Sequence, residues 1–190
     1  MNNLIQVSLS NALQKIVLKV SLLKIGILKN ILIRMFIKHY EIDMTDYPRK
    51  SCHQYKHFND FFTREFQDDA RPIMAGKDNI VSPVDGKVIE FGNIEGQELI
   101  QIKNSKYNLN ELLNFNSKNI QTYKDGSYIT IYLAPYNYHR VHMPVDGMLL
   151  ENTIIPGELH SVNEKALKSI PDLYSRNQRM VSFFQNANYE

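Results

Sequence analysis

The sequence predicts an α+β fold in which N-terminal helices precede a β-rich core of short, mainly antiparallel strands. Two observations predict it. Residues 4–37 are rich in Leu, Ile and Val, with Lys or Arg recurring every few positions, which is the composition of helix. From Ile80 onward the apolar residues come in short β-branched and aromatic runs bounded by Gly, Pro, Asn and Asp, which is the pattern of strands joined by turns. Helical patterns sit mostly at the front and strands behind them, the order of an α+β chain.

The first segment is residues 1–40. It holds six basic residues and no acid, whereas the remainder holds 16 basic against 20 acidic, so charges of +6 and −4 are segregated along the chain. Lys15, Lys19, Lys24, Lys29 and Arg34 interrupt every apolar run before it reaches bilayer length, so the segment is not expected to span a membrane. The same lysines break the core that a cleavable signal peptide needs. One or two basic, apolar helices hinged near Gly26 remain, a composition suited to the interface of an anionic membrane. The alternative is a helical pair packed on the core or on a partner.

Residues 41–190 read as a single domain. A 43% hydrophobic and 11% aromatic composition is globular, and the single Cys52 rules out an internal disulfide. No metal site is expected, since no second Cys and no clustered ligands accompany it. Phe58, Phe61, Phe62 and Phe66 follow helical spacing and predict a packing helix, with Arg64 and Glu65 near its end. Strands are expected at Lys87–Phe91, Leu99–Ile102, Tyr128–Ala134, Met148–Ile155 and from Val181. A turn is expected at Gly92–Gly96, and a short helix over Tyr107–Leu113 capped by Asn108 or Asn110. Tyr128–Ala134 is expected to be buried.

The densest chemistry lies directly after that run, in Tyr136-Asn137-Tyr138-His139-Arg140-Val141-His142-Met143-Pro144. If the segment is extended, His139 and His142 point to opposite faces and should act as separate groups, at least one of them an acid or base. Pro-Val-Asp-Gly occurs twice, at Pro83–Gly86 and Pro144–Gly147, each copy followed at the same interval by Glu90 or Glu151. Asp-Gly between apolar residues is a hairpin signal, so Asp85 and Asp146 read first as turn residues.

Leu133-Ala134-Pro135-Tyr136-Asn137-Tyr138-His139-Arg140-Val141-His142-Met143-Pro144 resembles the signature of the pyruvoyl-dependent phosphatidylserine decarboxylase proenzymes. Five further stretches agree in order: His57–Phe62 with Arg64, Ala70-Arg71-Pro72-Ile73, Ser82–Gly86, Ile155–Asn163 and Leu173–Arg179. The resemblance implies decarboxylation of phosphatidylserine to phosphatidylethanolamine in phospholipid biosynthesis. It implies a pyruvoyl cofactor made by self-cleavage at the Ser of a Leu-Gly-Ser-Thr-like motif. By the same resemblance Asp85 is the carboxylate and His142 the base that activate this Ser. His139 belongs to the decarboxylation half, and Arg140 is a candidate for the lipid phosphate or carboxylate. Asp146 follows the wrong motif and stays a turn residue.

No Leu-Gly-Ser-Thr-like motif lies within these residues, so the chain is expected to correspond to most of the large subunit, with a small pyruvoyl-bearing subunit as partner. The other expected partners are phosphatidylserine and, through residues 1–40, an anionic membrane surface. No nucleic acid is expected, a homodimer is compatible, and the expected location is peripheral, on the cytoplasmic side of the cell membrane. Two other readings are an inactive remnant that binds lipid surfaces or head groups, and a hydrolase using Cys52 or a Ser. The hydrolase is disfavoured because Lys50–Gln54 lacks a strained turn to expose a nucleophile.

Overall fold

A computed structural model of the chain describes residues 16–74, 76, 79–96, 98–101, 105–113 and 121–186. Lys15 with the start of the basic segment, and Ile102 at the end of one expected strand, lie outside the described residues. The architecture is the expected α+β. The described residues form two compact units: one runs to Gly86 and includes Leu133–Val145, the other takes Lys87–Tyr132 and the chain from Asp146.

In the first unit, residues 16–21 are helical and α1 spans Gly26–Tyr40. Leu, Lys, Arg and Met supply the helix formers of α1 among its four isoleucines, Lys38 and His39 in its last turn complement the carbonyl end, and Glu41 closes it in the left-handed region with its N–H on the Ile37 carbonyl. Ile33 is fully buried with Cys52, Tyr55 and Phe61, and Phe36 packs edge-on against Phe58 and Phe61. Lys29 is buried too, because its ammonium donates to the carbonyls of Cys52 (3.1 Å) and Tyr55 (2.6 Å). A 3₁₀ turn, Cys52–Gln54, follows, held by a capping box between Ser51 and Gln54. Helix α2 is only Phe58–Phe62, capped by the His57 ring. Phe66 therefore lies beyond it, and stacks on Tyr47 and Tyr138 from an irregular segment. No helix among the described residues is long and apolar enough to cross a membrane.

The second unit carries three antiparallel pairs: β1 (Lys87–Asn93) with β4 (Ser127–Tyr132), β2 (Glu98–Gln101) with β3 (Ser105–Asn108), and β5 (Met148–Ile155) with β6 (Arg179–Gln185). Its core joins Ile94, Tyr107 and Leu109 of α3 (Leu109–Leu113), with Tyr174 of α5 (Leu173–Arg176) packed on them. Helix α4, Glu164–Ser169, is capped by Asn163.

Several expectations are corrected. β4 is not a buried strand: none of its six residues is buried and Ile129 is 59% exposed, as in a two-stranded ladder open to solvent. Tyr107 belongs to β3, and the helix starts at Leu109, with the Asn108 carboxamide accepting from Asn110 N–H. β1 runs to Asn93, into the expected turn. Neither Asp-Gly closes a hairpin; each precedes a strand, and β1 and β5 pair with distant partners. The repeat is nonetheless structural. Each strand bulges at the same interval after its Asp-Gly, at Ile89 in β1 and Leu150 in β5.

Candidate active site

Two short segments of the first unit build the site. Val81 N–H donates to the Pro144 carbonyl (3.0 Å) and His142 N–H to the Pro83 carbonyl (2.8 Å), which is an antiparallel pairing of 81–83 with 142–144. Pro83 and Pro144 lack N–H donors, so the ladder stops there and the chain is free to bend into Asp-Gly. Two arginines staple the His segment to the end of α2. Arg64, fully buried, donates to the Tyr136 carbonyl (3.2 Å) with its guanidinium over the Tyr47 ring, and Arg140 donates to the Thr63 carbonyl (2.8 Å).

Asp85, Arg140 and His142 thereby line one cavity of about 660 Å³. A smaller one of about 200 Å³ shares Arg71, Asp85 and Tyr138 with it. Asp85 is gripped by Arg71, whose Nε reaches both carboxylate oxygens (3.1 Å each) and whose Nη2 reaches one (2.7 Å). Arg71 also holds Asp46 (2.9 Å) and lies 4.1 Å over the Phe66 ring. Asp85 first, then Asp46, keep this guanidinium above its ordinary pKa. His142 Nε2 is 3.0 Å from the Tyr138 hydroxyl. Arg140 pairs with Glu65 (2.6 Å) at a solvated edge.

His139 is placed apart. It lines neither cavity, stacks on Phe62 with ring centroids 4.0 Å apart, and has Nε2 3.4 Å from the Pro135 carbonyl, so that nitrogen carries the proton. Burial pushes its imidazole below the usual pKa. Asp146 lines neither cavity. Arg71 and Tyr138 are site residues that sequence reasoning assigned no role, and Phe66, expected in a packing helix, lines the larger cavity with them. Arg71 and Tyr138 stood inside quoted motifs, which was the available signal.

The family model for phosphatidylserine decarboxylase matches residues 58–189. The chain belongs to the phosphatidylserine decarboxylase family. It is 42% identical over 173 residues to a phosphatidylserine decarboxylase proenzyme of Pseudoalteromonas translucida, covering 91% of this chain and 60% of the relative. To the proenzyme of Psychrobacter arcticus it is 46% identical over 159 residues, 84% of this chain and 57% of the relative. To that of Vibrio parahaemolyticus it is 42% identical over 174 residues, 92% and 61%. The chain thus spans about three fifths of the length of these curated relatives.

Proposed function

We propose that the chain contributes the Asp85 and His142 pair of a pyruvoyl-dependent phosphatidylserine decarboxylase, a lyase that forms phosphatidylethanolamine. The observation that carries this reading is the antiparallel pairing of 81–83 with 142–144, which brings a carboxylate and an imidazole to one cavity. In this reading His142 takes the proton of a Ser hydroxyl supplied by a small-subunit segment, and Asp85 steadies the imidazolium that forms. His139, whose imidazole burial holds below the usual pKa, lies outside both cavities, so in this reading it serves the decarboxylation half only once the small-subunit segment completes the site. Arg140 exchanges Glu65 for the phosphate or carboxylate of the lipid. A pyruvoyl carbonyl, when bound, supplies the electron sink for the charge left by departing carbon dioxide. The donor set suits such a group: guanidinium, imidazole and phenol face one space of adequate size.

Residues 41–190 form the catalytic part in this reading, and residues 1–40 hold it peripherally on the cytoplasmic face of the cell membrane. The test is to co-express the chain with a separate polypeptide carrying a Leu-Gly-Ser-Thr-like segment and supply carboxyl-labelled phosphatidylserine. Labelled carbon dioxide should appear, and Asp85→Asn or His142→Ala should lower it at least about a hundredfold, as loss of an activating base does. Silence from the unaltered pair, or full activity in both variants, overturns the reading.

A further inference from the structure

A base is useful only if the correct nitrogen is bare, and in the first unit that choice is made by a residue outside the expected pair. The Tyr138 hydroxyl is 3.0 Å from His142 Nε2. The ring that carries the phenol is held in place, while the O–H itself can turn about its C–O bond. Tyr138 is 5% exposed and its ring stacks on Phe66 at 4.0 Å, with Phe66 itself held between Tyr47 and the Arg71 guanidinium. The His142 backbone is anchored by its N–H bond to Pro83, and its imidazole, on an exposed residue, lies nearly parallel to the Tyr138 ring, 13° off.

We propose that Tyr138 is the positioning residue that sets the tautomer of His142, donating its hydroxyl proton to Nε2 and so placing the ring proton on Nδ1. Between a neutral phenol and a neutral imidazole, the O–H is the better donor and the bare ring nitrogen the better acceptor. Burial raises the Tyr138 pKa and keeps the phenol protonated at neutral pH. With Nδ1–H the ring can offer a proton to a carboxylate while Nε2 keeps a lone pair for an incoming hydroxyl. That is the tautomer the decarboxylase reading requires, and the inference rests on that reading for its purpose, though not for its geometry. The phenol also shields the Nε2 lone pair until a reacting hydroxyl displaces it.

The test reads the tautomer directly in the chain as it stands, by two-bond proton–nitrogen correlation of nitrogen-15 labelled protein above pH 7.5, with His142 assigned from a His142→Gln variant. The two ring nitrogens should be widely separated in shift, with Nδ1 protonated. Tyr138→Phe keeps the aromatic stack and removes only the hydroxyl. It should change the tautomer ratio about fivefold towards Nε2–H, the equivalent of about 1 kcal/mol, the net worth of one hydrogen bond. Dominant Nε2–H in the unaltered protein overturns the proposal without any variant being needed. So does an unchanged ratio in a folded Tyr138→Phe protein. If the ratio shifts as expected while the paired-polypeptide assay releases no carbon dioxide, the decarboxylase reading falls and the tautomer assignment stands.

Discussion

His139 and His142 are three residues apart and face different surroundings, one sealed against Phe62 and the other open to the cavity beside Tyr138. Their separateness was legible from spacing alone, since an extended segment sends such residues to opposite sides. The grip of Arg71 on Asp85 was not legible, because the two stand 14 residues apart in separate motifs; Tyr138 and His142, four apart, share one side of an extended segment, but spacing does not specify a bond between hydroxyl and imidazole. The burial of His139 has a consequence for stability against pH. Its folded pKa lies below that of the unfolded chain, so the unfolded state binds the proton first, and stability that is intact above about pH 6.5 falls as pH drops through the folded value. Asp60 and Glu158 are held below the ordinary carboxylate range. For Asp60, burial opposes this but the Lys56 N–H and Arg49 prevail; for Glu158, Arg176 and then His160 are responsible. Their contributions therefore fade only at more acid pH. Urea midpoints should decline between pH 7.5 and 5.5 in the unaltered protein, and the decline should be shallower in His139→Gln. Parallel curves for the two proteins would assign the decline to other groups.

Among the elements, those with strong apolar or β-branched runs were legible as strands: β1, β2, β4, β5 and β6. β3 was hidden because Ser105-Lys106-Tyr107-Asn108 has no apolar alternation, and only pairing with β2 makes it a strand. The Asp-Gly motifs were misread as hairpins because local turn chemistry says where the chain bends, not which strand it meets next. What they do specify is the entry to a bulged strand, twice. Gly157 illustrates how a motif glycine can be a matter of distance. A β-carbon there would run into the Arg176 carbonyl oxygen and lie 2.6 Å from both the Asn177 carbonyl carbon and the Gln178 nitrogen, all backbone atoms that cannot swing aside. This close approach lets Glu158 N–H donate to Arg176 (2.9 Å) and Gln178 N–H donate back to Glu158 (2.7 Å), while the Asn177 side chain brackets His160. Gly157→Ala should cost about 3 kcal/mol by denaturant unfolding. Gly26→Ala, where nothing lies within 4 Å and α1 begins, should be neutral or stabilise by up to about 1 kcal/mol. A Gly157→Ala protein as stable as its parent would mean that β5 and α5 separate without loss.

For the molecule as a whole, the telling feature is a helix that is apolar on both sides. The inner side of α1 is spent on Ile33 and the Phe36 contacts, and Lys29, which composition marks as a surface cation, is drawn inward by two carbonyls. On the outer side Ile27, Ile31 and Met35 fall at intervals of four and are 78, 48 and 64% exposed, with Leu28 beside them. Lys38, seven residues after Ile31, shares that side, and Lys24 stands just before the helix; both are exposed. An apolar stripe with a lysine at each end is the arrangement that sinks into a lipid interface while its ammonium groups meet anionic head groups. Transfer of three such side chains, about half completed, is worth about 3 kcal/mol. Replacing Ile27, Ile31 and Met35 together by Gln, a good helix former, should therefore weaken partitioning onto anionic vesicles about a hundredfold. The unfolding midpoint should hardly move, because these side chains touch no core. Lys24→Gln with Lys38→Gln should instead remove the salt-sensitive share of binding, about 1 kcal/mol for each lysine. Vesicle binding that survives the triple substitution would exclude this face of α1 as a lipid-binding surface.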